Sequence, residues 1–156
     1  MERLQAGDKA PKFELLDKNE EKVSLEALLK EHRVLVYFYP KAMTPGCTVQ
    51  AQNLRDEKER LLEHNVISIG ISPDAPKRLA KFTDRDELNF TLLSDEDHAV
   101  ADQFGVWGPK KFMGKEYDGI HRISFLVEQD GTISHVFDKF KTKDHHEVVL
   151  NHLAQN

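Results

Sequence analysis

Three residues within a short stretch carry groups that can react or polarise: Pro40, Thr44 and Cys47, in the pattern P-x-x-x-T-x-x-C. Cys47 is the only cysteine among 156 residues. It follows the apolar run Val34-Leu35-Val36-Tyr37-Phe38 and a short loop. After it comes a polar stretch with apolar residues at Val49, Leu54, Leu61 and Leu62. That order predicts a strand, a loop and a helix over 44–65, with Cys47 at or just inside the helix N-terminus. Unpaired backbone N–H groups and the positive end of the helix dipole there favour thiolate over thiol, and the thiolate is the nucleophile. Thr44 lies three residues before Cys47, the spacing of neighbours on one turn. Its hydroxyl can donate to the sulfur and exchange a hydrogen bond with an incoming oxygen. Pro40 ends the strand, lacks an N–H and offers a wall beside the sulfur. A fixed cation is supplied by Arg122, at the edge of a later strand, whose fork of donors can pair a thiolate and orient an oxygen ligand together.

Each of these residues alone has a plainer reading. Pro40 is a strand terminator, Thr44 a helix cap, Arg122 a surface ion pair and Cys47 core filler. Their conjunction on one strand–loop–helix is what favours chemistry.

Composition bounds the rest. A chain of this length forms one core without staples, so residues 1–156 are expected to be a single domain. Hydrophobic residues at 39% and charged residues at 31% suit a globular protein. A net charge of −5 argues against a nucleic-acid or anionic-membrane partner. No apolar run reaches the roughly 18–20 residues of a membrane span, and the opening Met1-Glu2-Arg3-Leu4-Gln5 has no apolar signal region. One cysteine forms no internal disulfide, so a cytoplasmic enzyme is the expectation.

The elements that must position the site follow from periodicity. A short strand over 10–15 and a partner over 21–24 suggest an N-terminal hairpin, with Ser24 capping a short helix. The strand over 33–39, the helix over 44–65 and a second apolar strand over 66–72 make a parallel βαβ unit. A helix is expected over 77–85, a short strand over 89–94, and a helix over 98–104 capped by the run Ser94-Asp95-Glu96-Asp97 and closed by Gly105. Residues 106–120 read mostly as loop. Strands over 121–127 and 133–137 flank an Asp130-Gly131 turn, and Asp144 caps a last helix. The sum is an α/β chain with a mixed central sheet flanked by helices.

No metal or cofactor is called for. His145, His146 and His152 could share a helix, but adjacent histidines point about 100° apart and no further ligand completes a spaced site, so they read as solvated surface. No C-x-x-C and no phosphate-cradling loop occurs. Trp107, Phe112, Met113 and Tyr117 are candidates to line or cover the site.

The stretch Tyr37-Phe38-Tyr39-Pro40-Lys41-Ala42-Met43-Thr44-Pro45-Gly46-Cys47-Thr48-Val49-Gln50-Ala51 resembles the peroxiredoxins, and in particular their Q-type, bacterioferritin comigratory subfamily. Ala6-Gly7-Asp8, Asn89-Phe90-Thr91-Leu92-Leu93-Ser94-Asp95, Phe104-Gly105-Val106-Trp107-Gly108 and Gly119-Ile120-His121-Arg122-Ile123-Ser124-Phe125 are similar to its other blocks. The resemblance implies a thioredoxin-like fold with an N-terminal hairpin extension. It implies a thiol peroxidase acting on hydrogen peroxide and organic hydroperoxides. Cys47 matches the attacking cysteine, Thr44 and Arg122 the residues that hold the peroxide, Pro40 the shield, and Gly46 with Cys47 the backbone donors to the leaving oxygen. Many subfamily members carry a resolving cysteine five residues further on; here that position is Gln52. The oxidised sulfur would therefore meet an outside thiol: glutathione, a glutaredoxin, a thioredoxin or another copy. The subfamily likeness suggests a monomer. The competing reading is a non-catalytic peroxide sensor or chaperone-like protein on the same fold.

Overall fold

The computed structural model describes residues 2–155. In chain order the elements are β1 (Glu14–Leu16), β2 (Lys22–Ser24), α1 (Leu25–Leu29), β3 (Arg33–Phe38), α2 (Pro45–Asp56), α3 (Lys58–Glu63) and β4 (Val66–Ser72). They continue with α4 (Pro76–Asp86), β5 (Thr91–Ser94), α5 (Ala99–Phe104), β6 (Trp107–Phe112), β7 (Lys115–Ile120), β8 (Ser124–Val127), β9 (Ile133–Phe137) and α6 (His145–Ala154).

Seven strands form one mixed sheet in the order β2-β1-β5-β4-β3-β8-β9. The parallel trio β5, β4 and β3 sits at the centre, β8 and β9 continue antiparallel, and the N-terminal hairpin joins the far side through Leu16 and Ser94. This is the thioredoxin-like arrangement with its hairpin extension. β3 explains the layering. Its alternate residues Val34, Val36 and Phe38 enter one core, and Leu35, Tyr37 and Tyr39 enter the other. Both faces are covered, as a continuous apolar run in a parallel strand requires. The first core takes side chains from α1 and α5; the second takes them from α2, α3, α4 and α6.

Several local expectations hold. Ser24 Oγ accepts from Ala27 N at 3.3 Å to cap α1. Gly105 closes α5 at φ 76°. Asp95 accepts from the N–H groups of Val100 and Ala101, although the cap position itself is His98 and the helix starts one residue later than expected.

Five expectations are corrected. The helix over 44–65 is two helices, broken at Glu57. No Gly or Pro marks the break; a distant residue makes it. Asn89 Nδ2 donates to Arg55 O at 3.1 Å, and Lys58 Nζ donates to Asn89 O at 2.6 Å, so the end of α2 is capped from another part of the chain. Residues 106–120 are not loop but the antiparallel hairpin β6–β7, turning through Met113 (φ 52°) and Gly114 (φ 80°). Two consecutive positive φ values are the signature of a type I′ turn, usually written Asn-Gly, and methionine at the first position hides it. The strand expected over 121–127 starts at Ser124, leaving Arg122 in the connection ahead of it. His145 is fully buried rather than solvated: its Nε2 lies 2.8 Å from Ser124 Oγ, and its ring packs between Tyr37 and Phe140. Asp144 occupies the α6 cap position, but its carboxylate accepts from Lys141 N instead of the helix.

Candidate active site

Cys47 is the third residue of α2, after Pro45 and Gly46, with Thr44 at the N-cap. Pro45 suits the first helical position because it has no N–H to leave unpaired. Thr48 N donates to Thr44 O at 2.9 Å and starts the helical ladder. Gly46 and Cys47 precede that bond, so their N–H groups have no carbonyl four residues back inside the helix.

Cys47 is 2% exposed. Arg122 Nη2 donates to Cys47 Sγ at 3.0 Å, and Nη1 donates to Gln50 Oε1 at 3.0 Å. Strand β8, starting two residues later, delivers this guanidinium across the start of α2. Gln50 is 1% exposed and stands three residues beyond Cys47, so it holds the free arm of the fork on the same helix face. Gly46 eases the close approach: a Cβ there would lie 3.3 Å from Arg122 Nη2 and 3.4 Å from the methyl of Thr142, enough to press the guanidinium by a few tenths of an ångström.

Thr44 is placed differently from the sequence expectation. Its hydroxyl donates to Lys41 O at 2.8 Å rather than to the sulfur, and its side chain makes no cap bond. Its proton is thus committed, and its lone pairs are what it offers to an incoming O–H. Pro40 lines a groove of about 280 Å³ with Lys41, Pro73, Trp107, Lys110 and Tyr117 among its walls. Of the four apolar candidates in 106–120, Trp107 and Tyr117 line this groove; Phe112 and Met113 do not.

The loop between β3 and α2 is clasped from inside. Asp74 Oδ2 accepts from Ala42 N at 2.7 Å and from Ser72 Oγ at 2.7 Å. Arg78 Nη2 donates to Ala42 O at 3.0 Å, and its Nε lies 3.2 Å from Asp74 Oδ1. This grip coincides with Met43 at φ 66°. Sequence reading missed Asp74 and Arg78; their i, i+4 spacing marks an ion pair but does not say what it holds. α2 is pinned further along. Gln52 Nε2 donates to Asp86 Oδ1 at 2.9 Å, Arg85 Nη2 to Thr48 Oγ1 at 2.7 Å, and Arg55 Nη1 to Asp86 O at 2.6 Å.

Titratable neighbours follow from burial. Burial, then Tyr39 and Cys47, push the Tyr37 phenol well above its ordinary value, so it stays neutral; no bonding partner for its hydroxyl occurs among the described residues. Burial, then the Arg122 charge, push the Lys110 ammonium down. Burial, above all, lowers His145 to about 3, so it too is neutral. Among the described residues no group of three metal-ligating side chains comes together, and no helix is long and apolar enough to cross a membrane.

Comparison with known proteins gives the family. The AhpC/TSA family matches residues 6–136. Peroxiredoxin Bcp of Escherichia coli K12 is 61% identical over 156 residues, covering 100% of this chain and 99% of that protein. The crystal structure of peroxidoxin BcpB from Mycobacterium tuberculosis superposes with a TM-score of 0.87 at 33% identity, covering 98% of each chain. Xanthomonas campestris peroxiredoxin Q gives 0.85 at 29% identity, covering 92% of this chain and 90% of that one. With the family matching most of the chain and relatives similar along their whole length, the chain belongs to the AhpC/TSA family, among the Bcp and Q-type peroxiredoxins.

Proposed function

We propose that this chain, acting as one domain, reduces hydrogen peroxide and organic hydroperoxides at Cys47 and recovers its thiol from an outside reductant. The observation that carries the reading is the 3.0 Å bond from Arg122 to a lone sulfur at the third position of α2. The thiolate attacks one peroxide oxygen and the O–O bond breaks. Cys47 becomes a sulfenic acid, and the leaving oxygen departs as water or an alcohol after taking a proton. Arg122 supplies a fixed positive charge to the sulfur and to the peroxide. Thr44, its own proton given to Lys41, accepts from the peroxide O–H. The N–H groups of Gly46 and Cys47 face the developing negative oxygen, which is preorganised electrostatics rather than covalent help. Pro40 walls the approach.

With one cysteine in the chain, an internal disulfide has no second partner, so reduction needs glutathione, a glutaredoxin or a thioredoxin. A Xanthomonas campestris bacterioferritin comigratory protein, 29% identical, is described with alkyl peroxide reduction activity, which supports the organic substrates. The single unpaired cysteine supports a reducing, cytoplasmic setting, and the acidic net charge argues against nucleic-acid partners. A monomer is proposed because the exposed large apolar side chains are few, Val49 and Leu62 standing singly and only Phe112, Met113 and Tyr117 sharing one narrow hairpin; sedimentation tests it.

The decisive experiment is peroxide turnover by wild type and Cys47→Ser, run with glutathione and glutaredoxin and, separately, with thioredoxin. Turnover in wild type and none in Cys47→Ser is expected. Cys47 consumed once by peroxide, with no reductant restoring it, would instead mark a sensor.

A further inference from the structure

The hairpin β6–β7 stands beside the sulfur, and its two faces are unlike. Its register sets Lys110 opposite Tyr117 and Phe112 opposite Lys115. Residues paired across strands, and those two apart along them, share a face, so these four side chains form one surface. By the same register Glu116 and Asp118, the acids of the hairpin, fall on the other face with Lys111, although Asp118 also lines the groove beside Pro40. The stem of Lys110 and the ring of Tyr117 lie over Gly119, where an added Cβ would sit 3.3 Å and 3.2 Å from them. That cationic, aromatic surface adjoins the reacting centre: Lys110 and Tyr117 line the groove with Pro40, and Lys110 is near enough to feel the charges of Arg122 and Cys47. The outer end is apolar and unpacked, with Phe112 66% and Met113 87% exposed.

The charge around the sulfur reverses that of the chain. Lys41 and Arg122 flank it, the hairpin adds three lysines, and the loop 138–144, which meets Gly46 through Thr142, adds three more; four carboxylates lie in the same segments. Of the four, Asp138 pairs with Arg3 at 2.5 Å and Glu116 with Lys111 at 3.8 Å, while Asp144 accepts from Lys141 N and keeps its charge. The whole chain carries 22 basic against 27 acidic residues.

We propose that this face of β6–β7 is the docking surface for the protein that returns electrons to Cys47, a dithiol protein whose surface beside its nucleophilic thiol is acidic and apolar. The proposal rests on the peroxidase reading above. A thiolate of the docked partner attacks the sulfur of the sulfenic acid, the S–O bond breaks, and hydroxide leaves to become water with the proton of the attacking thiol. A mixed disulfide results. The partner's second thiol attacks the partner's own sulfur in that bond, Cys47 leaves as thiolate, and the partner departs as a disulfide, oxidised by two electrons. The span favours a protein over a small thiol. Five residues separate Trp107 from Phe112, roughly 16 Å of strand, so a ligand in the groove does not reach the apolar tip. A second copy of this chain would set one positive face against another, which like-charge repulsion disfavours.

The test separates the two halves of the cycle. Cys47 is first oxidised with one equivalent of hydrogen peroxide. It is then reduced either by thioredoxin, kept reduced by its reductase, or by glutathione. In the double variant Met113→Asp/Lys115→Glu, the KM for thioredoxin is expected to rise at least tenfold and to lose most of its salt dependence. Oxidation by peroxide and reduction by glutathione stay within twofold of wild type. Lys111→Glu, on the opposite face, is the control and leaves the thioredoxin KM within twofold. An unchanged thioredoxin KM in the double variant overturns the proposal, as does an equal loss with glutathione. A wild-type dimer that the double variant dissolves also overturns it, because a second copy then covers the face. Failure of wild-type Cys47 to oxidise is a separate readout that overturns the peroxidase reading and this proposal with it.

Discussion

The loop that carries Cys47 and the hairpin beside it are built on opposite plans. The loop is gripped from inside, at Ala42 by Asp74 and Arg78, and α2 beyond it is tied at Thr48, Gln52 and Arg55 to the end of α4. The hairpin holds itself by its own ladder, is anchored at its Ile120 end, and leaves its outer half in solvent. The difference separates two demands. A reacting sulfur needs a donor at a fixed distance, which buried polar groups enforce. Meeting another molecule needs area left bare, which a ribbon provides.

The contrast breaks hardest at Asp74. Asp74→Ala leaves the buried N–H of Ala42 and the hydroxyl of Ser72 without their acceptor, and roughly 1–3 kcal/mol per orphaned donor suggests a loss of about 2–6 kcal/mol in urea denaturation. Cys47 oxidation slows in the same variant; an unchanged rate would mean that the clasp does not position the loop. Arg122→Met removes the donor at the sulfur, and the second-order rate of Cys47 oxidation is expected to fall about 10²–10³-fold by stopped flow. Gln52→Ala deletes a bond to the Asp86 carboxylate, worth about 1.5 kcal/mol, and raises hydrogen exchange in α2 while leaving β6–β7 unchanged; equal changes in both regions would erase the distinction between them.

His145 gives the pH dependence. Folding holds its imidazole at about 3 against an ordinary 6.5. The unfolded chain therefore binds a proton that the folded chain refuses. Stability is fully present above pH 6.5 and declines as pH falls toward 3, by about 1.4 kcal/mol per pH unit for this group. His145→Gln is expected to flatten the stability profile below pH 6.5, which denaturation over that interval measures. The smallest effect belongs to the hairpin tip. Met113→Asn places a residue that tolerates positive φ ahead of Gly114 and is expected to raise stability by up to about 1 kcal/mol, with no change in Cys47 oxidation.

What was legible in the sequence followed local rules. The run Val34-Leu35-Val36-Tyr37-Phe38 shows a strand buried on both faces, and the distance from Pro40 to Cys47 shows a loop that feeds a helix start. Arg122 was legible as a partner for the sulfur through its motif context, although its strand begins later than periodicity suggests. The rest depends on contacts between distant segments. Nothing near Glu57 announces a helix break that Asn89 makes from more than thirty residues away. Met113 conceals a turn that Asn would have declared. His145 carries the look of a surface residue, and only Ser124, Tyr37 and Phe140 closing around it make it core. Thr44 is on the right turn, yet its proton goes to Lys41, a choice set by loop shape rather than spacing.

Gln52 has a consequence beyond the folded state. In an intact helix, positions 47 and 52 lie about 8.6 Å apart by helical geometry, beyond the roughly 7 Å that a disulfide spans. A cysteine placed at position 52 would strip Asp86 of its amide donor and still find Cys47 out of reach until a turn of α2 opened. The substitution alone loses a bond and gains no disulfide while α2 stays wound, so the chain needs a change in the helix as well as a second thiol before a self-contained cycle is open to it. Its peroxide defence is then mortgaged to the cell's common supply of reducing equivalents, and the rate at which it clears peroxide becomes a property of that supply as much as of the protein.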